Sequence, residues 1–94
     1  MFDIQLEGNG IVRLIGRLDA AESDHALKIL RGVETSLTLD CSQLDYISSA
    51  GIGVFIETYK RLHASGLAFK LVHLLPRVKN IFAYAGLDRI LTIE

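Results

Sequence analysis

The chain has a single cysteine, so no disulfide can close within it and no C-x-x-C pair exists to carry redox chemistry. A reducing, intracellular setting is expected, with Cys41 as a small buried side chain at a strand end and not a reactive thiol. No apolar run approaches the ~18 residues that span a bilayer. From Phe2 onward the N-terminus alternates charged with apolar residues, unlike a basic segment followed by an apolar one. A cytoplasmic, soluble protein with no membrane partner is the expectation. An excess of charge is also lacking. The formal net charge is -1, and bases gather nowhere beyond Lys60-Arg61, so direct nucleic-acid binding is not expected.

The constellations that carry catalysis or bind cofactors are incomplete. No Gly-Lys-Ser/Thr occurs, which excludes a Walker loop. Gly51-Ile52-Gly53 opens a helix after a strand, but Ile56 stands where a dinucleotide loop needs a third glycine. No acid for a ribose lies about twenty residues on, at Lys70 to His73. His25, His63 and His73 share no metal-ligand spacing, and with Cys41 they form no zinc pattern. A Ser-His-Asp set drawn from Ser49, a histidine and Asp40 or Asp45 lacks the G-x-S-x-G elbow. A receiver-type aspartyl phosphoacceptor needs an early acidic pair, and the first strand ends with Glu7 alone. No metal, no cofactor and no catalysis are expected.

What is present is an ordinary globular composition: 50% apolar and 22% charged residues in 94, enough for one domain spanning 1–94 with one core. Phe2, Ile4 and Leu6 alternate with polar residues and predict a first strand. Gly8-Asn9-Gly10 predicts a hairpin turn into a second strand, Ile11 to Ile15, which Gly16 interrupts. Asp19 is placed as the N-cap of a helix over Ala20 to Arg31, with Ala20, Ser23, Leu27 and Leu30 on one face and Gly32 as the stop. Thr35 to Leu39 predicts a central strand. A second helix runs from about Ser49 to Ser65-Gly66. Ile52, Phe55, Ile56, Tyr59 and Leu62 are its buried stripe, and Glu57–Arg61 an exposed pair. Leu67 to Val72 predicts another strand, and Pro76 starts a third helix that Gly86 ends. Leu91 to Ile93 is a short last strand. The expected fold class is α/β: a mixed sheet of about five strands with about three helices and an N-terminal β-hairpin. Strand order is not readable from this pattern.

The stretch Asp40 to Gly53 is where function is expected. It reads as a polar turn between the third strand and the second helix, with Ser42 and Asp45 satisfying the turn. A hydroxyl at a helix start is well placed to carry or meet a phosphate, because backbone N–H donors and the positive end of the dipole converge there. Either Ser48 or Ser49 also serves simply as the N-cap, and from the residues alone both readings stay open.

The run Leu39 to Val54, LDCSQLDYISSAGIGV, closely resembles the signature of anti-sigma factor antagonists, the bacterial STAS domains. Leu14 to Asp19 looks like that family's second-strand motif, and Tyr59 to Leu62 is similar to the end of its second helix. Pro76-Arg77-Val78 through Gly86-Leu87-Asp88 resembles its third helix and cap. The resemblance implies a STAS-like fold. It also implies a phosphorylation-controlled partner switch. The unphosphorylated antagonist binds a GHKL-type serine kinase that doubles as anti-sigma factor; phosphorylation ends the binding, and a PP2C-type phosphatase restores it. Aligned on Gly51, the phosphoacceptor falls on Ser49, with Asp19, Ser48, Ala50, Gly51 and Val54 as the partner-binding surface. Ser48 stands where the family usually has aspartate. The chain stops at Glu94 without the fourth helix common in the family, which points to apolar surface that a second copy, as a homodimer, or another subunit would cover. The alternative implied by the resemblance is a non-phosphorylated STAS subunit of a lipid-transporting ABC system, or a signalling scaffold.

Overall fold

A computed structural model describes residues Met1–Glu94. It contains β1 (Phe2–Gly8), β2 (Ile11–Leu18), α1 (Ala20–Arg31), β3 (Leu37–Ile47), α2 (Ser49–Ala64), β4 (Phe69–Val72) and α3 (Pro76–Tyr84). A 3-10 turn (Leu87–Arg89) and β5 (Thr92–Ile93) complete it. The five strands form one sheet in the order β1-β2-β3-β4-β5, antiparallel between β1 and β2 and parallel thereafter. Gly8, Asn9 and Gly10 all take positive φ, which turns the hairpin. Each parallel step uses a helix as its crossover, and steps in one direction across a sheet place the helices on the same face. Phe55 of α2 touches both Phe69 of β4 and Phe82 of α3, edge to face, with ring centroids 6.4 and 5.8 Å apart.

The helix-free face of the sheet is laced by opposite charges. Arg13 lies 2.9 Å from Glu7 and 3.6 Å from Asp40, and Lys70 lies 3.6 Å from Glu94. On β1, the Ile4 N–H donates to the Asp3 carboxylate at 2.9 Å, which occupies a backbone donor that a passing strand would otherwise pair with.

The hairpin, the three helices and the five strands agree with the expectations from sequence, while the central strand does not. β3 does not end at Leu39. It runs on through Ile47, and the supposed polar turn Asp40 to Ile47 is strand paired with β2. Two β-bulges explain the misreading. The register goes from Arg13↔Asp40 to Ile15↔Gln43, and from Gly16↔Leu44 to Arg17↔Tyr46, so β3 carries one extra residue at each step. Its inward side chains are therefore Leu39, Cys41, Leu44 and Ile47, a spacing that breaks the period of two. Ser42 and Asp45 cap no turn; the Ser42 N–H donates to the Asp40 carboxylate at 3.0 Å. β2 likewise continues through Gly16 to Leu18, and β4 begins only at Phe69.

The helix faces are also rotated from expectation. α2 buries Gly51, Val54, Phe55, Thr58 and Leu62, and leaves Ile52, Ile56 and Tyr59 half-buried on its flank. Thr58 is tolerated inside because its hydroxyl donates to the Val54 carbonyl at 2.8 Å. α1 buries Ser23, Ala26 and Leu30, with Ala20 exposed. Glu57 and Arg61 do not pair. Glu57 meets Arg31 at 3.1 Å, and Arg61 donates to the carbonyls of Leu30 (2.7 Å) and Val33 (2.9 Å), satisfying acceptors at the end of α1. Arg61 thus ties the second helix to the first.

Candidate functional site

The paired ends of β2 and β3 build the site. Leu18 and Ile47 lie side by side in register, and the Ser48 N–H donates to the Leu18 carbonyl at 3.0 Å. Immediately beyond, both strands turn into helices, so α1 and α2 begin next to each other. Asp19 caps the first: its carboxylate accepts from the Glu22 N–H at 3.1 Å, and its carbonyl accepts from the buried Ser23 hydroxyl at 2.8 Å. Ser48 caps the second, with extended backbone (φ -88°, ψ 172°) and its Oγ accepting from the Gly51 N–H at 3.1 Å.

This arrangement separates the two serines that the sequence left equivalent. Ser48 is half-buried, and its oxygen is used by the fold. Ser49 is the first helical residue; it is exposed, and its hydroxyl takes no hydrogen bond within the protein. Its position at the positive end of α2 favours a negative group by ~0.3–1 kcal/mol. Ala50 is exposed beside it.

Gly51 and Val54 do not belong to that surface. Val54 is only 4% exposed and sits in the core. Gly51 is buried where α2 crosses closest to the sheet. A Cβ there would lie 2.8 Å from Ile47 Cγ1, 3.0 Å from Leu18 Cγ and 3.0 Å from the Leu18 carbonyl oxygen. Gly51 is glycine because the helix start approaches β2 and β3 too closely for a side chain. By contrast, a Cβ on Gly53 meets nothing within 4 Å. The sequence-predicted face of Ala50, Gly51 and Val54 therefore reduces to Ala50, with the other two supporting the turn from beneath. Asp19, Ser48, Ser49 and Ala50 are brought together.

Sequence reasoning missed the neighbours of this end on the open face of the sheet. The Arg17 guanidinium lies over the Tyr46 ring at 4.3 Å, and Arg77 reaches Asp45 at 3.9 Å. Below them the bulges leave an open concavity of about 530 Å³ lined by residues that include Ile15, Arg17, Ser42, Gln43 and Asp45. No sequence signal marked the Arg17–Tyr46 pair, because it forms only beyond the two bulges that reset the register of β3 against β2.

Titratable groups near the site are placed for structure. Burial pulls the Asp40 carboxyl upward, but hydrogen bonds from Ser42 and the Arg13 charge outweigh it and hold the group below the ordinary carboxylate value. Burial, with the Asp40 charge adding to it, pushes the Cys41 thiol up to about 12. The histidines lie on α1, on α2 and after β4, and nowhere do three or more His, Cys, Asp or Glu residues gather as metal ligands do.

The sheet is one-faced and mostly parallel, and its first two crossover helices start together, with the Ser49 hydroxyl exposed and unbonded at that end. The chain belongs to the STAS domain family, whose sequence profile matches residues 4–94. It is 32% identical over 87 residues to BtrV of Bordetella bronchiseptica, a protein named as a candidate anti-sigma factor antagonist, covering 87% of this chain and 74% of that one. It is 28% identical over 96 residues to the anti-sigma-B factor antagonist of Bacillus subtilis, covering 98% and 88%. Among solved structures, a candidate anti-sigma factor antagonist of Thermotoga maritima superposes with a TM-score of 0.82 at 24% identity, covering 98% of this chain and 84% of that one. The Bacillus cell fate determinant SpoIIAA in its phosphorylated form gives 0.72 at 18%, covering 100% and 91%. These likenesses to solved structures establish the fold. No helix is long and apolar enough to cross a membrane.

Proposed function

We propose that this protein is an anti-sigma factor antagonist that works as a partner switch, controlled by phosphorylation of Ser49. The observation that carries the reading is the division of labour at the helix start: Ser48 supplies the cap, leaving the Ser49 hydroxyl exposed and unbonded. The relatives named as anti-sigma factor antagonists, and a fold shared with a protein solved in a phosphorylated form, support it. Unphosphorylated, the surface of Asp19, Ser48, Ser49 and Ala50 binds a GHKL-type serine kinase that acts as anti-sigma factor. Phosphorylation adds about -1.5 to -2 charges there. The helix dipole keeps the added phosphate compatible with the fold, so release comes from charge and bulk at the docking surface. A PP2C-type phosphatase resets the switch in the cytoplasm. The chain is a substrate and ligand of these enzymes and performs no catalysis itself.

Ser48 in place of aspartate is compatible with this reading, since both side chains cap a helix equally well and only the negative charge is lost. The test is incubation with the cognate kinase and ATP. One phosphate is expected by mass spectrometry, none in Ser49→Ala, and loss of kinase binding in Ser49→Asp. A phosphate retained in Ser49→Ala, or full kinase binding by Ser49→Asp, refutes the proposal. The uncharged Ser48 is the one observation that favours the second reading, a constitutive STAS subunit of a lipid-transporting ABC system or a scaffold. Co-purification with a transporter ATPase, indifferent to Ser49→Asp, would support it.

A further inference from the structure

The sheet has two edges, β1 and β5, and β5 is only two residues long, so Phe2–Gly8 is the edge with room for another strand. Which of its backbone groups are free follows from the pairing with β2. The Arg17 N–H donates to the Met1 carbonyl, so these opposed residues form a hydrogen-bonded pair. With Phe2 opposite Gly16 and Ile4 opposite Leu14, the antiparallel pattern alternates along the hairpin. Met1, Asp3 and Gln5 bond toward β2, while Phe2, Ile4 and Leu6 turn their N–H and C=O groups to the open side. The side chains alternate as well. Phe2 and Ile4 pack against the core on the helix side, and Leu6 follows them on that face but is 67% exposed. Asp3, Gln5 and Glu7 lie on the other face, all exposed.

An antiparallel strand on this edge must bring its own outward groups opposite those of β1. A second β1 can do so about a two-fold axis at Asp3, at Ile4 or at Gln5. About Asp3, the two Asp3 carboxylates would face each other; about Gln5, Asp3 would face the second copy's Glu7. Only the axis at Ile4 keeps the acids apart, with Asp3 opposite Gln5. That register also gives Phe2, Ile4 and Leu6 a partner each, and sets Phe2 beside the exposed Leu6 on the helix side. One contact stands in its way. The Asp3 carboxylate accepts the Ile4 N–H at 2.9 Å and is steadied by the Gln5 amide at 3.2 Å, so the donor on the axis is already occupied. We infer that β1 is a self-pairing edge that joins two copies of this chain antiparallel about Ile4, and that the Asp3 side chain is the latch that opposes the pairing. In such a dimer β2 and β3 of the two copies run in opposite directions, so the two Ser49 loops stand at opposite ends of the joined sheet and stay open.

The experiment is sedimentation velocity of the intact chain over a concentration series reaching millimolar, with amide hydrogen exchange on the same samples. Wild type and Asp3→Asn, whose side-chain carbonyl still accepts the Ile4 N–H, are expected to associate weakly. Asp3→Ala frees that donor in both copies and should dimerise roughly 10- to 100-fold more tightly than either, the worth of two released hydrogen bonds. Because Asp3 is exposed and its carboxylate bonds nothing in β2, the variant keeps the wild-type melting curve. In its dimer the amides of Phe2, Ile4 and Leu6 should gain protection. Adding Leu6→Pro removes one outward donor without breaking the ladder to β2, and should return the protein to monomer. The inference is overturned if Asp3→Ala stays as weakly associated as wild type, if its dimer leaves those three amides unprotected, or if Leu6→Pro leaves the dimer intact. If Asp3→Asn dimerises as tightly as Asp3→Ala, relief of charge drives the pairing and the latch is refuted.

Discussion

Gly51 and Gly53 sit two residues apart at the start of α2, and replacing each by alanine is expected to move stability in opposite directions. At Gly53 the new methyl meets nothing within 4 Å, so only helix propensity counts. The gain is ~0.5–1 kcal/mol, since alanine restricts the unfolded chain and glycine is a poor helix former. At Gly51 the propensity gain is smaller, because the residue lies in the first turn, and the methyl would fall 2.8 Å from Ile47 Cγ1 and 3.0 Å from the Leu18 carbonyl oxygen. The isoleucine side chain can shift, but the carbonyl already accepts the Ser48 N–H and is held by the sheet. Overpacking of this kind costs ~1–3 kcal/mol, leaving Gly51→Ala about 1–2 kcal/mol less stable than wild type. For a domain of this size one kcal/mol moves the melting temperature by about 4–8 °C. The two variants should therefore melt well apart, on opposite sides of wild type, in circular-dichroism scans and urea titrations. Gly51→Ala should also disturb the Ser48 cap, because the capped N–H is its own. If Gly51→Ala is as stable as Gly53→Ala, the close approach of α2 to the sheet is wrong, and with it the presentation of Ser49.

Arg61→Ala should cost ~1–2 kcal/mol in urea denaturation, because the Val33 carbonyl loses its side-chain donor and the Leu30 carbonyl is left with backbone N–H donors alone. Glu57→Ala should cost only a few tenths, as its pair with Arg31 is exposed. Asp40 has a folded-state pKa below the ordinary 3.8, so it adds stability that is present above that value and lost as pH falls through the folded value. Asp40→Asn should accordingly flatten the acid limb of a stability-against-pH curve, and an unchanged limb would refute the role given to Arg13 and Ser42. Cys41, fully buried with its thiol pushed up to about 12, should react with a thiol reagent at pH 8 only as fast as the protein opens. Immediate labelling of the native protein would contradict that burial.

Much of this architecture was legible from local patterns. The hairpin at Gly8-Asn9-Gly10, the cap at Asp19, Pro76 at the first position of α3 and the left-handed Gly86 are decided by backbone preferences of single residues, and each lies where the pattern put it. The register of β3 was not legible, since a bulge depends on what the neighbouring strand does. Each extra residue moves the following side chains to the other face, so Gln43, paired with Ile15, and Asp45, the unpaired residue of the second bulge, read as a turn although both lie in the strand. Arg61 was misassigned for a related reason: the carbonyls it satisfies lie 28 and 31 residues away along the chain, beyond any helical spacing rule.

The serine pair shows the same division. By itself the sequence determined that a hydroxyl would stand at the start of a helix after the central strand, because small polar residues before an apolar periodic run favour an N-cap. It also determined the family. Which serine caps and which remains free was decided only by tertiary structure: the Ser48 N–H is bound to the Leu18 carbonyl on the neighbouring strand, which sets the turn so that Ser48 Oγ meets Gly51 and Ser49 faces out. The same packing took Gly51 and Val54 away from the exposed helix start, since an α-helix must turn one stripe to the sheet, and the stripe is chosen by the shape of what lies beneath it.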